Sequence, residues 1–172
     1  MAIYKLLSVL LDYPDQELLD NLPAIRQAVA DSADMEEGEQ SVLRQFLARL
    51  EGGDLTDIQA DYVQTFDLTP EHSLHLTHHL FGEDKNRGPA LIDLSEMYKE
   101  YGIEVAGNEL PDYLPLILEF ADRLENNEAQ PFLCDAVKVF NVLADNLEKA
   151  GSHYAPLIRI IESRANLLRI AA

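Results

Sequence analysis

Asp112-Tyr113-Leu114-Pro115-Leu116-Ile117-Leu118-Glu119-Phe120-Ala121-Asp122-Arg123-Leu124 is the stretch whose reading decides the fold. Leu114, Ile117, Leu118, Ala121 and Leu124 recur three and four residues apart, which puts them on one face of a helix. An aspartate at the start suits both a helix N-cap and the positive end of the helix dipole, so Asp112 is expected to cap this helix.

Working outward, the same period returns along the chain. Toward the N-terminus, Leu91, Leu94, Tyr98 and Tyr101 mark a helix with Pro89 in its first turn and Gly102 at its end. A short helix is expected around Leu74 to Phe81, ended by Gly82. Leu55, Ile58, Tyr62, Val63 and Phe66 lie on another, where Thr56 and Gln59 match a capping box. Leu43, Phe46, Leu47 and Leu50 precede Gly52 and Gly53. Leu18, Leu19, Leu22, Ile25 and Val29 follow Asp15 as N-cap, with Pro23 a possible kink. Ile3, Leu6, Leu7, Leu10 and Leu11 form the first stripe, stopped near Pro14. Toward the C-terminus, Phe132, Leu133, Val137, Phe140, Leu143 and Leu147 run to Gly151, and Leu157, Ile158, Ile161, Ala165 and Leu168 mark the last helix. Strict two-residue alternation is nearly absent, since Ile103 and Val105 make too short a run. Residues Gly102 to Pro111 read as a loop. The expected fold is all-α: one domain over residues 1–172, a bundle of about eight or nine helices.

Composition narrows the function. Acidic residues outnumber basic ones 31 to 13, and the net charge of −18 repels phosphate backbones and anionic lipid. No nucleic acid and no direct membrane insertion are therefore expected. The same field attracts a basic segment, although such a charge also serves plain solubility. The one cysteine, Cys134, excludes an intramolecular disulfide and reads as a buried small hydrophobe. The apolar start from Met1 to Leu11 is interrupted by Lys5 and Ser8 and is too short to span a bilayer, so the expected location is cytoplasmic.

There is no Gly-rich phosphate loop and no nucleophile elbow. His72, His75, His78 and His79 crowd one segment, with Glu83 following. On a helix His75 and His79 would lie one turn apart, which is a metal-chelating spacing. The segment lacks a glutamate between two histidines at metalloprotease spacing, and such histidines more often bond neighbours or face water. No metal is expected, and a metal-dependent hydrolase on His75, His79 and Glu83 stands as the alternative.

Three further segments carry information: Tyr62-Val63-Gln64-Thr65-Phe66-Asp67; His79 to Gly88, containing Gly82-Glu83 and Arg87-Gly88; and Glu109-Leu110-Pro111-Asp112-Tyr113-Leu114-Pro115, running on to Glu119-Phe120. Singly each reads as ordinary helix packing and punctuation. Together, with the Leu10-Leu11-Asp12-Tyr13-Pro14 start, they resemble the NarJ-type assembly chaperones of respiratory nitrate reductase, also called the delta subunit. These fall within the TorD-like, all-helical chaperones of molybdoenzymes. The resemblance covers nearly the whole chain. It is looser at Thr65, where the wider family has leucine, and at Tyr113, where it has histidine; both departures fit the nitrate reductase branch. Members of the family usually continue beyond residue 172, so functions of that tail are not carried over.

The resemblance implies a chaperone, not an enzyme, acting in nitrate assimilation. It implies binding to the basic N-terminal segment of the apo catalytic (alpha) subunit while molybdenum cofactor and iron–sulfur clusters are inserted. The cofactors belong to the client and none to the chaperone. Such a client needs a hydrophobic groove with carboxylates at its rim, because arginine makes paired charge-assisted bonds to carboxylates. Tyr62, Phe66, Tyr98 and Tyr113 are expected to line the groove. Asp67, Glu83, Glu109, Asp112 and Glu119 are expected to meet the arginines. Arg87 is expected either to order its loop by pairing with Glu83 or Asp84 or to contact client carbonyls. A helical adaptor without a folding role is the remaining alternative.

Overall fold

The computed structural model describes residues 3–82, 84–103, 109–124, 133 and 136–171, with side chains through residue 166. Glu83, Val105, Phe132, Cys134 and the Leu168 side chain lie outside that description. Among the described residues there are nine α-helices and no strand.

The first two stripes fold as α1 (Ile3–Leu11) and α2 (Gln16–Ala30). Asp15 caps α2 through a 2.8 Å bond from the Leu18 amide to its carboxylate. The helix runs on through Pro23, which sits on the exposed side between buried Leu22 and Ile25. Next comes α3 (Glu37–Glu51), where the Glu39 carboxylate reaches back to the Glu36 amide at 2.9 Å.

The fourth helix, α4 (Leu55–Tyr62), is not opened by a Thr56–Gln59 capping box. Asp54 is the N-cap, and its carboxylate accepts the Thr56 amide at 2.9 Å. A carboxylate two residues earlier is the stronger acceptor, which frees Gln59 to donate to the Pro14 carbonyl and tie α4 to the α1–α2 corner. After Tyr62 the chain widens into a π-helical turn, Val63–Asp67, closed by the Leu68 amide on the Val63 carbonyl at 3.0 Å. Tyr62 and Phe66 both point inward here, while Asp67 reaches the surface.

A 3-10 turn (Pro70–His72) leads to α5 (Leu76–Phe81), shorter than its sequence suggests. Gly82 ends it at a φ of 53°, a conformation that side chains with a Cβ rarely adopt. Then follow α6 (Arg87–Glu100), α7 (Leu114–Arg123), α8 (Val137–Lys149) and α9 (Ala155–Ala171).

Two antiparallel pairs organise the bundle. In the first, α1 lies along α7: the Ser8 hydroxyl donates to the Pro115 carbonyl at 2.7 Å, Lys5 meets Glu119 at 3.0 Å, and Asp122 accepts the Lys5 amide at 3.3 Å. In the second, α8 turns at Gly151 into α9; Arg159 is gripped across the pair by Asp145 and Glu148, and within α9 by Glu162. Arg164 of α9 makes a two-pronged bond to Glu39, which joins α3 to that hairpin. One continuous hydrophobic core runs from Ile3 to Ala165 and takes in Leu47, Leu118, Phe140 and Tyr154. Among the described residues, no helix is long and apolar enough to cross a membrane.

Leu118 is fully buried in this core, so Leu118→Ala should cost about 2–5 kcal/mol. Asp15→Ala, which removes only a cap, should cost about 1 kcal/mol. Urea denaturation followed by far-ultraviolet circular dichroism reads both, and the order of the two effects checks the placement.

Candidate functional site

Pro111 and Asp112 bring α7 back against the histidine-rich segment. The Leu114 amide donates to the Leu74 carbonyl at 2.8 Å, and the Leu76 amide to the Asp112 carbonyl at 3.0 Å, a single antiparallel bridge around His75 and Tyr113. The Asp112 side chain does not cap its own helix, whose N-cap is Tyr113. It is completely buried and turns to the start of α5. There it accepts the Thr77 amide at 3.0 Å, the Thr77 hydroxyl, and the His75 ring nitrogen Nδ1 at 3.3 Å. Burial by itself raises this carboxyl, but the bonds from His75 and Thr77 outweigh it and hold the group below the ordinary aspartate range. Arg87 extends the network by donating from Nε to the Thr77 hydroxyl at 3.0 Å. Among the described residues it forms no ion pair with Asp84, whose carboxylate instead takes the Asn86 amide.

Above this latch lies a row of aromatic rings. Tyr62 packs on Phe66 with centroids 4.9 Å apart and receives the edge of Tyr13 at 5.5 Å. The Tyr62 hydroxyl lies 2.8 Å from that of Tyr113 and 3.0 Å from the Leu11 carbonyl; Tyr113 in turn donates to Asp12 at 3.0 Å. With the Tyr113 proton on Asp12, the single Tyr62 proton goes to either the Leu11 carbonyl or the Tyr113 oxygen; in the second case the bonds form one chain ending on a carboxylate, and each polarises the next. Burial, together with the neighbouring Asp12 charge, raises both phenols well above the ordinary tyrosine range, so they remain donors at neutral pH.

Two adjoining hollows flank the row and share Glu109 and Tyr113. One, of about 280 Å³, is lined by Tyr13, Tyr62, Phe66, Asp67 and His75. The other, of about 350 Å³, lies along α1 and α7 and is lined by Asp12, Leu116, Glu119, Phe120 and Arg123. Four carboxylates, Asp12, Asp67, Glu109 and Glu119, therefore rim a cleft with an aromatic floor. Asp12, Asp67 and Glu109 are exposed. Glu119 is already paired with Lys5 and Arg123; burial raises its carboxyl, and the two cations more than reverse this and hold it low.

The structure thus brings together Tyr62, Phe66, Asp67, Glu109, Tyr113 and Glu119 of the expected residues. It does not bring Tyr98, which is fully buried, donates to the Pro111 carbonyl at 2.7 Å and packs on Phe120; it shapes the cleft wall from behind. Asp112 is likewise inside, with its carboxylate bonded to the start of α5 and not exposed in the cleft. Arg87 is half-buried beside Thr77, and Glu83 falls outside the described residues. Sequence reasoning missed Asp12 and Tyr13, although they stand in the Leu10–Pro14 stretch that carries the resemblance. Nothing local marks them, because their role comes from α7 folding back beside α1.

The metal alternative loses its geometry. His75 is the extended N-cap of α5, so it is not one helical turn from His79. Its Nδ1 is taken by Asp112, and His79 Nε2 by the Ser73 carbonyl at 2.7 Å. Burial pushes the His79 ring below the ordinary histidine value. Among the described residues, no group of three histidine, cysteine, aspartate or glutamate side chains is placed to hold a metal ion.

The family model of the nitrate reductase delta subunit matches residues 30–159, about three quarters of the chain. The chain belongs to the nitrate reductase delta subunit family. It is 35% identical over 161 residues to the nitrate reductase molybdenum cofactor assembly chaperone NarJ of Escherichia coli (strain K12), covering 94% of this chain and 68% of that protein. It is 32% identical over 161 residues to the NarJ protein of Bacillus subtilis (strain 168), covering 92% of this chain and 85% of that one. In fold it matches the crystal structure of an Archaeoglobus fulgidus protein described as a redox enzyme maturation protein, with a TM-score of 0.69, 21% identity, and 95% and 91% of the two chains covered.

In this delta-subunit fold Asp112 ties α5 to α7, so its charge should be visible in stability. A depressed carboxyl contributes stability above its unfolded value near 3.8, and that contribution is lost as pH falls through the still lower folded value. Asp112→Asn should cost about 1.5–3 kcal/mol at pH 7. It should also flatten the acid fall of the urea midpoint below about pH 4.5. A variant with an unchanged acid profile would contradict the latch.

Proposed function

We propose that this chain is an assembly chaperone for respiratory nitrate reductase, acting as one helical domain without catalysis of its own. It binds the basic N-terminal segment of the apo catalytic subunit while molybdenum cofactor and iron–sulfur clusters enter that subunit in the cytoplasm. Membership of the delta subunit family and the names of the two NarJ relatives support the class of activity. The observation that carries the reading at this chain's own residues is the aromatic-floored cleft rimmed by Asp12, Asp67, Glu109 and Glu119.

The physical fit is direct. Tyr13 and Tyr113 supply large, stiff apolar faces with hydroxyls at their ends, backed by buried Tyr62 and Phe66, and so cover a client side chain at little cost in rotamer freedom. The exposed carboxylates give guanidinium groups paired charge-assisted bonds. A net charge of −18 draws a cationic segment toward the surface before contact and raises the encounter rate. The molybdenum and iron–sulfur groups remain the client's, since the chaperone's part is to hold the segment and delay export or aggregation.

Calorimetry with a synthetic peptide of the catalytic subunit's N-terminus tests this. The double reversal Asp67→Lys with Glu109→Lys should weaken binding about tenfold at low salt, from two rim pairs of roughly 0.7 kcal/mol each. Most of the loss should fall on the association rate and shrink as salt rises. Unchanged affinity at low salt would remove the cleft from the binding site. Failure of the intact protein to restore nitrate reductase activity in cells lacking their own chaperone would favour an adaptor.

A further inference from the structure

The cleft contains a cation of the chain's own. Arg123, on the last turn of α7, is the sole basic residue among those lining the α1–α7 hollow. Its Nη2 donates to Glu119 Oε1 at 3.2 Å, and Lys5 donates to that same oxygen at 3.0 Å from outside the lining. Among the described residues, Oε2 of Glu119 carries no hydrogen bond. One of the hollow's three carboxylate charges is therefore offset before any client arrives, by a guanidinium attached to its wall.

We propose that Arg123 is a resident competitor for the client's arginine at Glu119. The inference rests on the chaperone reading and names the carboxylate at which charge exchange occurs. In the free protein, Arg123 spares Asp12, Glu109 and Glu119 from repelling one another unscreened across one hollow. When a basic segment enters, its guanidinium takes Glu119, using both carboxylate oxygens where Arg123 uses one, and Arg123 turns out to water.

Several observations favour exchange over a fixed structural pair. The Arg123 side chain is 56% exposed, so it has room to leave and loses little hydration by doing so. It stands four residues after Glu119 on the same helix, and exposed pairs of that spacing are weak. Lys5 remains on Glu119 from α1 and keeps the carboxylate aimed after Arg123 departs. A two-pronged guanidinium–carboxylate pair is stronger than a single-pronged one. The arrangement also discriminates: a lone ammonium offers no second prong with which to outbid Arg123, whereas a client arginine does.

Peptide calorimetry on single variants decides the matter. Arg123→Gln should bind the client's N-terminal peptide about fivefold more tightly than the unmodified protein, about 1 kcal/mol at 1.4 kcal/mol per tenfold. Arg123→Lys should bind within about twofold of the unmodified protein. Arg44→Gln removes one positive charge from α3, away from the cleft lining, and should leave affinity nearly unchanged. Adding Glu119→Gln to Arg123→Gln should abolish the gain. Weaker or equal binding by Arg123→Gln overturns the proposal, as does an equal gain from Arg44→Gln, which would reduce the effect to overall charge. If the unmodified protein fails to bind the peptide at all, the chaperone reading falls, a result distinct from binding without exchange.

Discussion

The arrangement depends on one carboxylate out of reach of water. Asp112 has no exposed surface, and its charge survives only because the Thr77 amide, the Thr77 hydroxyl and the His75 ring supply what water would have given. The group it satisfies is the start of α5, where amide hydrogens lack partners within their own helix. A residue at the mouth of α7 thus serves a helix more than thirty positions earlier. The two backbone bonds beside it, Leu76 to Asp112 and Leu114 to Leu74, fix the register. With that register fixed, Tyr113 stands beside Tyr62, Glu109 stands between the two hollows, and the cleft has a floor.

Much of the fold was legible in the residues, for a reason visible in α1, α7 and α8. Their apolar stripes are dense and regular, so burial and period agree, and the observed helices start or stop within three residues of the punctuation at Pro14, Pro111 and Gly151. The reading went astray where side chains choose among near-equal local options. Asp54 outcompetes Thr56 as a cap, and Asp112 leaves its own helix for a neighbour. His75 stays extended because the bridge to Tyr113 holds it, which is a tertiary effect that no window of sequence contains.

The candidate site shows the same division. Tyr62, Phe66 and the Glu109–Tyr113 segment can be recognised as motifs, because their spacing and resemblance are local. Asp12 and Tyr13 join them only through the antiparallel packing of α1 on α7, and Tyr98 leaves them because its hydroxyl finds the Pro111 carbonyl inside. Residue type indicated which side chains carry aromatic faces or charge; only topology could say which ones line the cleft. Charge alone is an equally poor guide: of the acidic residues in these segments, Asp112 is internal, Glu119 is paired, Asp12 is exposed but takes the Tyr113 hydroxyl, and Asp67 and Glu109 are exposed.

The π-helical turn at Val63–Asp67 has a bearing on how this segment changes through descent. Such a turn is an α-helical one carrying a surplus residue, and it is held because Tyr62 just before it and Phe66 within it are both pinned by the core. Substitution at Gln64, which lies on the outside, leaves that spacing intact. Loss of a single codon here would rewind the turn and swing either the Tyr62 ring before it or the Asp67 carboxylate at its end to a new bearing. Between Tyr62 and Asp67, selection would therefore act on length before it acts on letters.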